Sequence, residues 1–210
     1  MGIFTDHTYR KAAWMTLYLG VDPGIKGALA LIDAGGQSVS TWKMPLDKAR
    51  KFCPIETWKL IKEIDLIAAD QFEDVVCCIE GLLSLPSDTA KITLLIKMVE
   101  KNPTPELFEN LYIELKKTDG RVGTKTMGVN FGILIGQIAA VGWRYIVSSP
   151  RSWQSIIHKG IQGPTAKIRS YNFVKSIFQD VDVSKRSGGF DDGKTDALCI
   201  AEFCRRSFTV

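Results

Sequence analysis

Leu17-Tyr18-Leu19-Gly20-Val21-Asp22-Pro23-Gly24 runs from an apolar segment straight into turn chemistry. The apolar run at 17–20 reads as a strand, and Asp-Pro-Gly reads as the turn that ends it. A second apolar run follows at 28–32, then Gly35-Gly36, then a third extended segment at 38–44. Three short β-like runs separated by turn residues predict an antiparallel meander. Asp22 stands where the first strand gives out.

Outward from the meander the period changes. Residues 55–69 have helical spacing, with Ile55, Trp58, Leu60, Ile61, Ile64 and Ile67 expected on one side. A fully apolar strand at 75–79 stops abruptly at Glu80-Gly81. Residues 82–120, with helical patterns at 88–101 and 104–117 around Pro103 and Pro105, read as an excursion from the core. A long helix with few charges is expected over 126–141, a short strand at 145–147, and helices at 150–157 and 164–179. A Ser/Gly/basic loop at 184–190 leads to a last helix from Asp192, apolar at Ala197, Leu198, Ile200, Ala201 and Phe203. The order β-β-β-α-β, insertion, then α-β and further helices predicts an α/β fold: a mixed central sheet, three antiparallel strands followed by parallel ones, flanked by helices. Residues 1–15 are polar and irregular and read as a flexible leader, leaving 16–210 as one domain.

Composition narrows the chemistry. Hydrophobic residues make up 45% of the 210, enough for a real core, and the net charge of +4 allows a polyanionic partner without requiring one. The five cysteines, Cys53, Cys77, Cys78, Cys199 and Cys204, form no CxxC pair and sit mostly in aliphatic runs. They read as reduced core residues rather than disulfides or a zinc site. With only His7 and His158 as imidazoles, a His-rich metal centre is ruled out and carboxylates remain as ligands. No stretch reaches the ~18 apolar residues of a membrane span, and no signal-like segment opens the chain, so a cytosolic location is expected.

The carboxylates are placed where regular elements end. Asp22 follows the first strand, Glu80 ends an apolar one, and Asp192 and Asp196 lie four apart at the start of the last helix, on nearly one face. A carboxylate at the end of a fully apolar strand is costly unless something neutralises it. Hard cations such as Mg²⁺ or Mn²⁺ take oxygen ligands, and two ions ~4 Å apart suit phosphodiester chemistry. The helix N-terminus also eases repulsion between Asp192 and Asp196. Against these readings, Asp-Pro-Gly alone makes a turn, Glu80 alone makes a surface ion pair, and Asp192 alone caps a helix.

This arrangement of Gly-Val-Asp-Pro-Gly, a strand-end Glu and a late Asp-x-x-x-Asp-Ala-Leu-x-Ile-Ala resembles the RuvC-like Holliday junction resolvases of the RNase H-like superfamily, over roughly residues 17–206. The resemblance implies that Asp22, Glu80, Asp192 and Asp196 are an acidic tetrad holding two Mg²⁺ or Mn²⁺ ions. It also implies that Lys167 lies near the scissile phosphate, where the family often carries a lysine. The implied activity is a metal-dependent endodeoxyribonuclease that resolves four-way DNA junctions by paired symmetric nicks and leaves 5′-phosphate ends. In the bacterial enzymes the last two acids are three apart; four apart is similar to poxviral, organellar and some phage relatives. Asp191 is the alternative to Asp192, but on a helix it would point away from Asp196.

Other features have two readings each. Gly128, Gly132, Gly136 and Ala140 recur every four residues in the helix at 126–141, where each glycine costs ~1 kcal/mol relative to alanine. Close packing onto the chain's own sheet explains that stripe, and so does a homodimer contact, as the resemblance implies; a C2 dimer would supply two sites for paired nicks. Lys116, Lys117, Arg121, Lys125, Arg151, Lys159, Lys167, Arg169, Lys185, Arg186 and Lys194 are either a solvated face or phosphate contacts. Leu82, Leu83 and Leu85 read as core beneath the excursion or as a wedge at a junction centre, and Trp153 reads as core. Two rival functions remain. A small actin-like or sugar-kinase-like ATPase also opens with a Gly-x-Asp-x-Gly hairpin but needs two such domains. A non-catalytic nucleic-acid-binding module would gain nothing from a concentrated negative patch.

Overall fold

The computed structural model describes residues 16–70, 74–81, 97–98, 101, 110, 122–185 and 188–208, with the backbone alone at 38–39 and 122–127. The expected leader at 1–15, most of the excursion at 82–120 with its two helices, and Leu82, Leu83 and Leu85 lie outside the described residues. What is described is a five-stranded mixed sheet flanked by helices. Its strands are β1 (Thr16–Asp22), β2 (Ala28–Ile32), β3 (Ser38–Lys43), β4 (Asp74–Glu80) and β5 (Arg144–Ser148). Spatial order is β3-β2-β1-β4-β5, antiparallel through the first three and parallel from β1 through β4 to β5. The helices are α1 (Pro54–Asp70), α2 (Val122–Ala140), α3 (Pro150–Ile157), α4 (Ala166–Ile177) and α5 (Asp192–Phe208). This is the expected α/β architecture, and its central strands, covered on both faces, read as continuous apolar runs.

Strand alternation divides the core in two. Leu17, Leu19 and Val21 of β1, with Val75, Cys77 and Ile79 of β4, pack against α1 and α2. Tyr18 of β1, Ala28 and Ala30 of β2, and Val76 and Cys78 of β4 pack against α3, α4 and α5. The second face carries the smaller strand residues, and that is what lets α5 lie close. A Cβ on Gly20 would sit 2.2 Å from both the Ala197 carbonyl oxygen and the Ala201 nitrogen. One on Gly193 would sit 2.1 Å from the Lys26 carbonyl oxygen in the β1–β2 turn. Gly193, Ala197 and Ala201, four apart on α5, therefore seat that helix directly on β1 and its turn.

The buried face of α1 differs from the expected one. Thr57, Leu60, Ile61, Ile64 and Ala68 are buried, while Ile55 is 67% and Trp58 37% exposed. Small Thr57 and Ala68, rather than the larger Ile55 and Trp58, complete the stripe that fits beneath the sheet. On α2, Phe131, Leu134, Ile135 and Ile138 fill the core beside α1. Gly128 and Gly132 are buried, Gly136 is half-buried and Ala140 is exposed, so the small-residue stripe turns from the interior to the surface. All five cysteines are free and four are buried. Among the described residues no helix is long and apolar enough to cross a membrane.

Candidate active site

Asp22 and Glu80 end neighbouring parallel strands. Val21 pairs with Ile79, so the next residue of each strand lies beside the other, with strands about 4.8 Å apart. Because Val21 and Ile79 point toward α1 and α2, Asp22 and Glu80 point to the opposite face, where α5 runs. The turn after β1 is tight: Gly24 N–H donates to Asp22 Oδ1 at 3.1 Å and Gly27 N–H to the Gly24 carbonyl at 2.7 Å.

Helix α5 brings the other two acids. Asp191, not Asp192, is its cap: Asp191 Oδ1 accepts from Lys194 N–H at 3.0 Å, the third residue of the helix. The same oxygen takes Lys43 Nζ at 2.6 Å, and Asp191 is 5% exposed, so its carboxylate is committed. The reading of Asp192 as a mere cap is thus corrected. Asp192 is the first helical residue, and it accepts Lys167 Nζ at 2.7 Å on one oxygen and Lys185 Nζ at 2.6 Å on the other. Asp196 follows one turn later. Lys185 is delivered by a small hairpin loop closed by the Ser184–Phe190 bridge, and Lys167 by the first turn of α4, capped by Thr165.

The four carboxylates share one electrostatic environment. Asp22 is raised above the ordinary carboxylate range by burial, opposed by the Gly24 N–H and reinforced by the charge of Asp192. Burial pushes Glu80 up to about 7 against the Trp153 hydrogen bond, with Asp22 and Asp196 adding to it. Burial likewise pushes Asp196 up to about 6 against the Ser170 hydroxyl, with Asp22 and Asp192 adding. Asp192 goes the other way, held well below the usual range by Lys167 and then Lys185. Glu80 and Asp196 therefore each feel the charge of two of the others, and Asp22 that of Asp192.

Hydrogen bonding divides the acids. Asp22 and Glu80 accept from neutral donors, the Gly24 N–H and the Trp153 indole, whereas Asp192 accepts from two ammonium groups. Among the described residues no group of three or more His, Cys, Asp or Glu side chains is placed closely enough to hold a metal ion. The donor set still suits a hard divalent cation: it is all oxygen, drawn from three elements, and three of its members carry burial without a hydrogen-bonded cation.

Several contributors are not evident from sequence spacing. Lys43, on the edge strand β3, reaches Asp191 and also the Lys26 carbonyl at 3.2 Å. Trp153 is wholly buried, as expected of core, yet its indole N–H donates to Glu80 Oε1 at 2.9 Å. A buried indole needs an acceptor, and that requirement is the signal that points to such a bond. Of the other basic residues, Arg151 and Arg169 line a separate cleft with His158, and Lys116, Lys117, Arg121, Arg186 and the Lys125 side chain lie outside the described residues.

No family model and no curated protein matches the sequence. Among solved structures the chain is similar to Thermus thermophilus RuvC, at 14% identity and a TM-score of 0.50, covering 91% of this chain and 96% of that one. A second match is T. thermophilus RuvC in complex with a Holliday junction substrate, at 13% identity and a TM-score of 0.47, covering 92% and 97%. The chain has a RuvC-like fold within the RNase H-like architecture.

Proposed function

We propose that this protein is a divalent-cation-dependent endodeoxyribonuclease acting on branched DNA, with Asp22, Glu80, Asp192 and Asp196 as cation ligands. The observation that carries the reading is the convergence of half-buried carboxylates from β1, β4 and α5, three of them with no hydrogen-bonded cation in the described contacts. A RuvC-like fold supports it, because the acids sit at the carboxyl ends of β1 and β4, where open α/β sheets place their ligands.

Mg²⁺ or Mn²⁺ held there, in one or two ions, would supply positive charge at the phosphoryl oxygens and lower the pKa of an attacking water. The protein's own part is to hold the oxygens in place and to exclude competing charges. Glu80 and Asp196 must shed their protons before they can ligate, and a cation favours that ionised state. Lys167 Nζ, 65% exposed at the side chain and bonded to Asp192, is placed to meet a phosphate oxygen at the mouth of the site. Lys185 offers a second ammonium on the same side.

Paired nicks at a four-way junction, leaving 5′-phosphate ends, would need two such sites related by a two-fold axis. A homodimer formed through the outward part of the α2 stripe, around Gly136 and Ala140, is consistent with their exposure. The test is a labelled four-way junction beside a matched linear duplex, each with and without Mg²⁺. Cation-dependent cutting of the junction, with the duplex left intact, is expected. Equal cutting of both, or none, overturns the assignment, and ATP turnover without DNA cleavage would turn it toward the ATPase rival.

A further inference from the structure

The first turn of α3 stands at the same edge of the sheet as the acids. Glu80 pairs with Ser148 at the end of β5, and Pro150 and Arg151 follow directly. A cleft of about 410 Å³ opens there between α3 and α4, lined by Pro150, Arg151, Gln154, Ser155, His158 and Arg169. On α3 these residues lie away from Trp153 and Ile157, which are buried in the core. None of them is acidic, and neither guanidinium meets a carboxylate among the described residues. Arg169 Nη1 donates to the Gly163 carbonyl at 3.1 Å, and exposed Arg151 makes no hydrogen bond or ion pair there. Cations elsewhere differ: Lys167 and Lys185 share Asp192, and Arg205 and Arg206 share Glu202. One wall of the cleft is fixed, because buried His158 packs edge to face on Trp153 and lies 3.0 Å from Ser170 Oγ.

We infer that this cleft binds a backbone phosphate of DNA, a few nucleotides from the phosphate at the acids. The inference rests on the branched-DNA reading above and gives that substrate a second anchoring point. Two like charges in one cleft with no acid between them repel, and a seated anion removes the repulsion. Guanidinium groups suit a phosphate because each donates to it through two parallel N–H bonds. Gln154 adds a neutral amide. Lys167 and Arg169, two residues apart in the first turn of α4, project on nearly opposite sides of a helix about 10 Å across. At ~3.4 Å rise per nucleotide, a strand with one phosphate at Lys167 reaches the cleft about three nucleotides on. Such a contact fixes where the acids meet the backbone and reads no sequence.

The experiment measures binding of a labelled four-way junction, in EDTA, across a series of salt concentrations. The proteins are the full-length wild type, Arg151→Gln, Arg169→Gln and Lys59→Gln, each also titrated with inorganic phosphate. Each arginine variant is expected to bind the junction about 10-fold more weakly at low salt. The slope of log affinity against log salt should also fall by about one, as for one lost phosphate contact. Lys59→Gln, on α1 across the sheet and paired with Glu56, should match the wild type. Arg169→Gln also removes the bond to Gly163; should it unfold, Arg151→Gln carries the same test. Wild-type slopes in the arginine variants, or an equal fall in Lys59→Gln, overturn the cleft and leave DNA binding standing. Loss of phosphate binding with an unchanged junction slope overturns the DNA assignment of the cleft in favour of a free anion. A wild type that binds neither the junction nor a matched duplex overturns the branched-DNA reading and the cleft with it.

Discussion

Helix α5 carries a carboxylate near each end, Glu202 buried and Asp196 half-buried, and the two have opposite surroundings. Glu202, toward the C-terminal end, is 2% exposed; Arg205 bonds it at 2.7 and 2.8 Å and Arg206 at 2.8 Å. Burial alone would raise it, but the two guanidinium groups outweigh burial and hold Glu202 below its ordinary pKa. Asp196, toward the N-terminal end, is raised to about 6 by burial and by neighbouring acids. One turn further along, where Glu202 has its arginines, Asp196 has Cys199 and Ile200. The same helix thus neutralises one carboxylate from within and gives the other, like Asp22 and Glu80, no hydrogen-bonded cation among the described contacts. On the proposed reading, a structural ion pair and a ligand site differ here in who supplies the positive charge.

The largest expected effect separates these two ends. Asp196→Asn should reduce junction cleavage by about 10³-fold or more and leave the melting temperature equal or higher, because it removes repulsion. Glu202→Gln should do the reverse, costing about 2 kcal/mol of stability with cleavage retained in the folded fraction, since two part-exposed arginines lose their partner. Thermal melting and single-turnover cleavage of both variants test the contrast, and similar profiles for the two would break it. Next in size is Gly20→Ala. Its Cβ has no room beneath the Ala197–Ala201 backbone, so α5 must lift from β1. A loss of about 3 kcal/mol by denaturant unfolding is expected, with cleavage impaired because Asp192 and Asp196 ride on that helix. An unchanged unfolding midpoint would remove the close seating of α5 from the account.

The smallest effect is in pH dependence, and its sign differs between the ends. Glu80 rises from an ordinary 4.5 to about 7 and Asp196 from 3.8 to about 6, so across that window the folded chain binds more protons than the unfolded one. Cation-free stability should therefore fall as pH rises from about 4.5 to 7, and the fall should be shallower in Glu80→Gln. Glu202 is lowered, so its contribution is present above 4.5 and lost as pH falls below it. Melting curves between pH 4 and 8, without divalent cations, would show the first trend; a flat profile would contradict it.

Much of the fold was legible in the sequence because alternation and turn chemistry are local signals. The runs at 17–20, 28–32 and 75–79 emerge as β1, β2 and β4, and the acids at their ends are visible as breaks in apolar pattern. Less visible is what depends on the partner surface. Which side of α1 is buried is decided by the space beneath the sheet, which accepts Thr57 and Ala68 and leaves Ile55 and Trp58 outside. Asp191 and Asp192 are adjacent and chemically identical, so only the helix start, set by Gly193 docking on the β1–β2 turn, fixes which one caps. The small-residue period on α2 is plain in sequence, whereas the three-member stripe of the same period on α5 acquires meaning only with Gly20 opposite it. The link from Trp153 to Glu80 joins residues on different elements, and no spacing rule announces it.

The central claim is that Asp22, Glu80 and Asp196 are left to be neutralised by divalent cations, with the lysine-paired Asp192 as a fourth ligand. Anomalous diffraction from crystals soaked in Mn²⁺ tests it most directly. The account predicts one or two anomalous peaks among these four side chains, with oxygens at about 2.0–2.6 Å, and none at Glu202. Strong Mn²⁺ peaks elsewhere with none among the four, at concentrations that support cleavage, would contradict it.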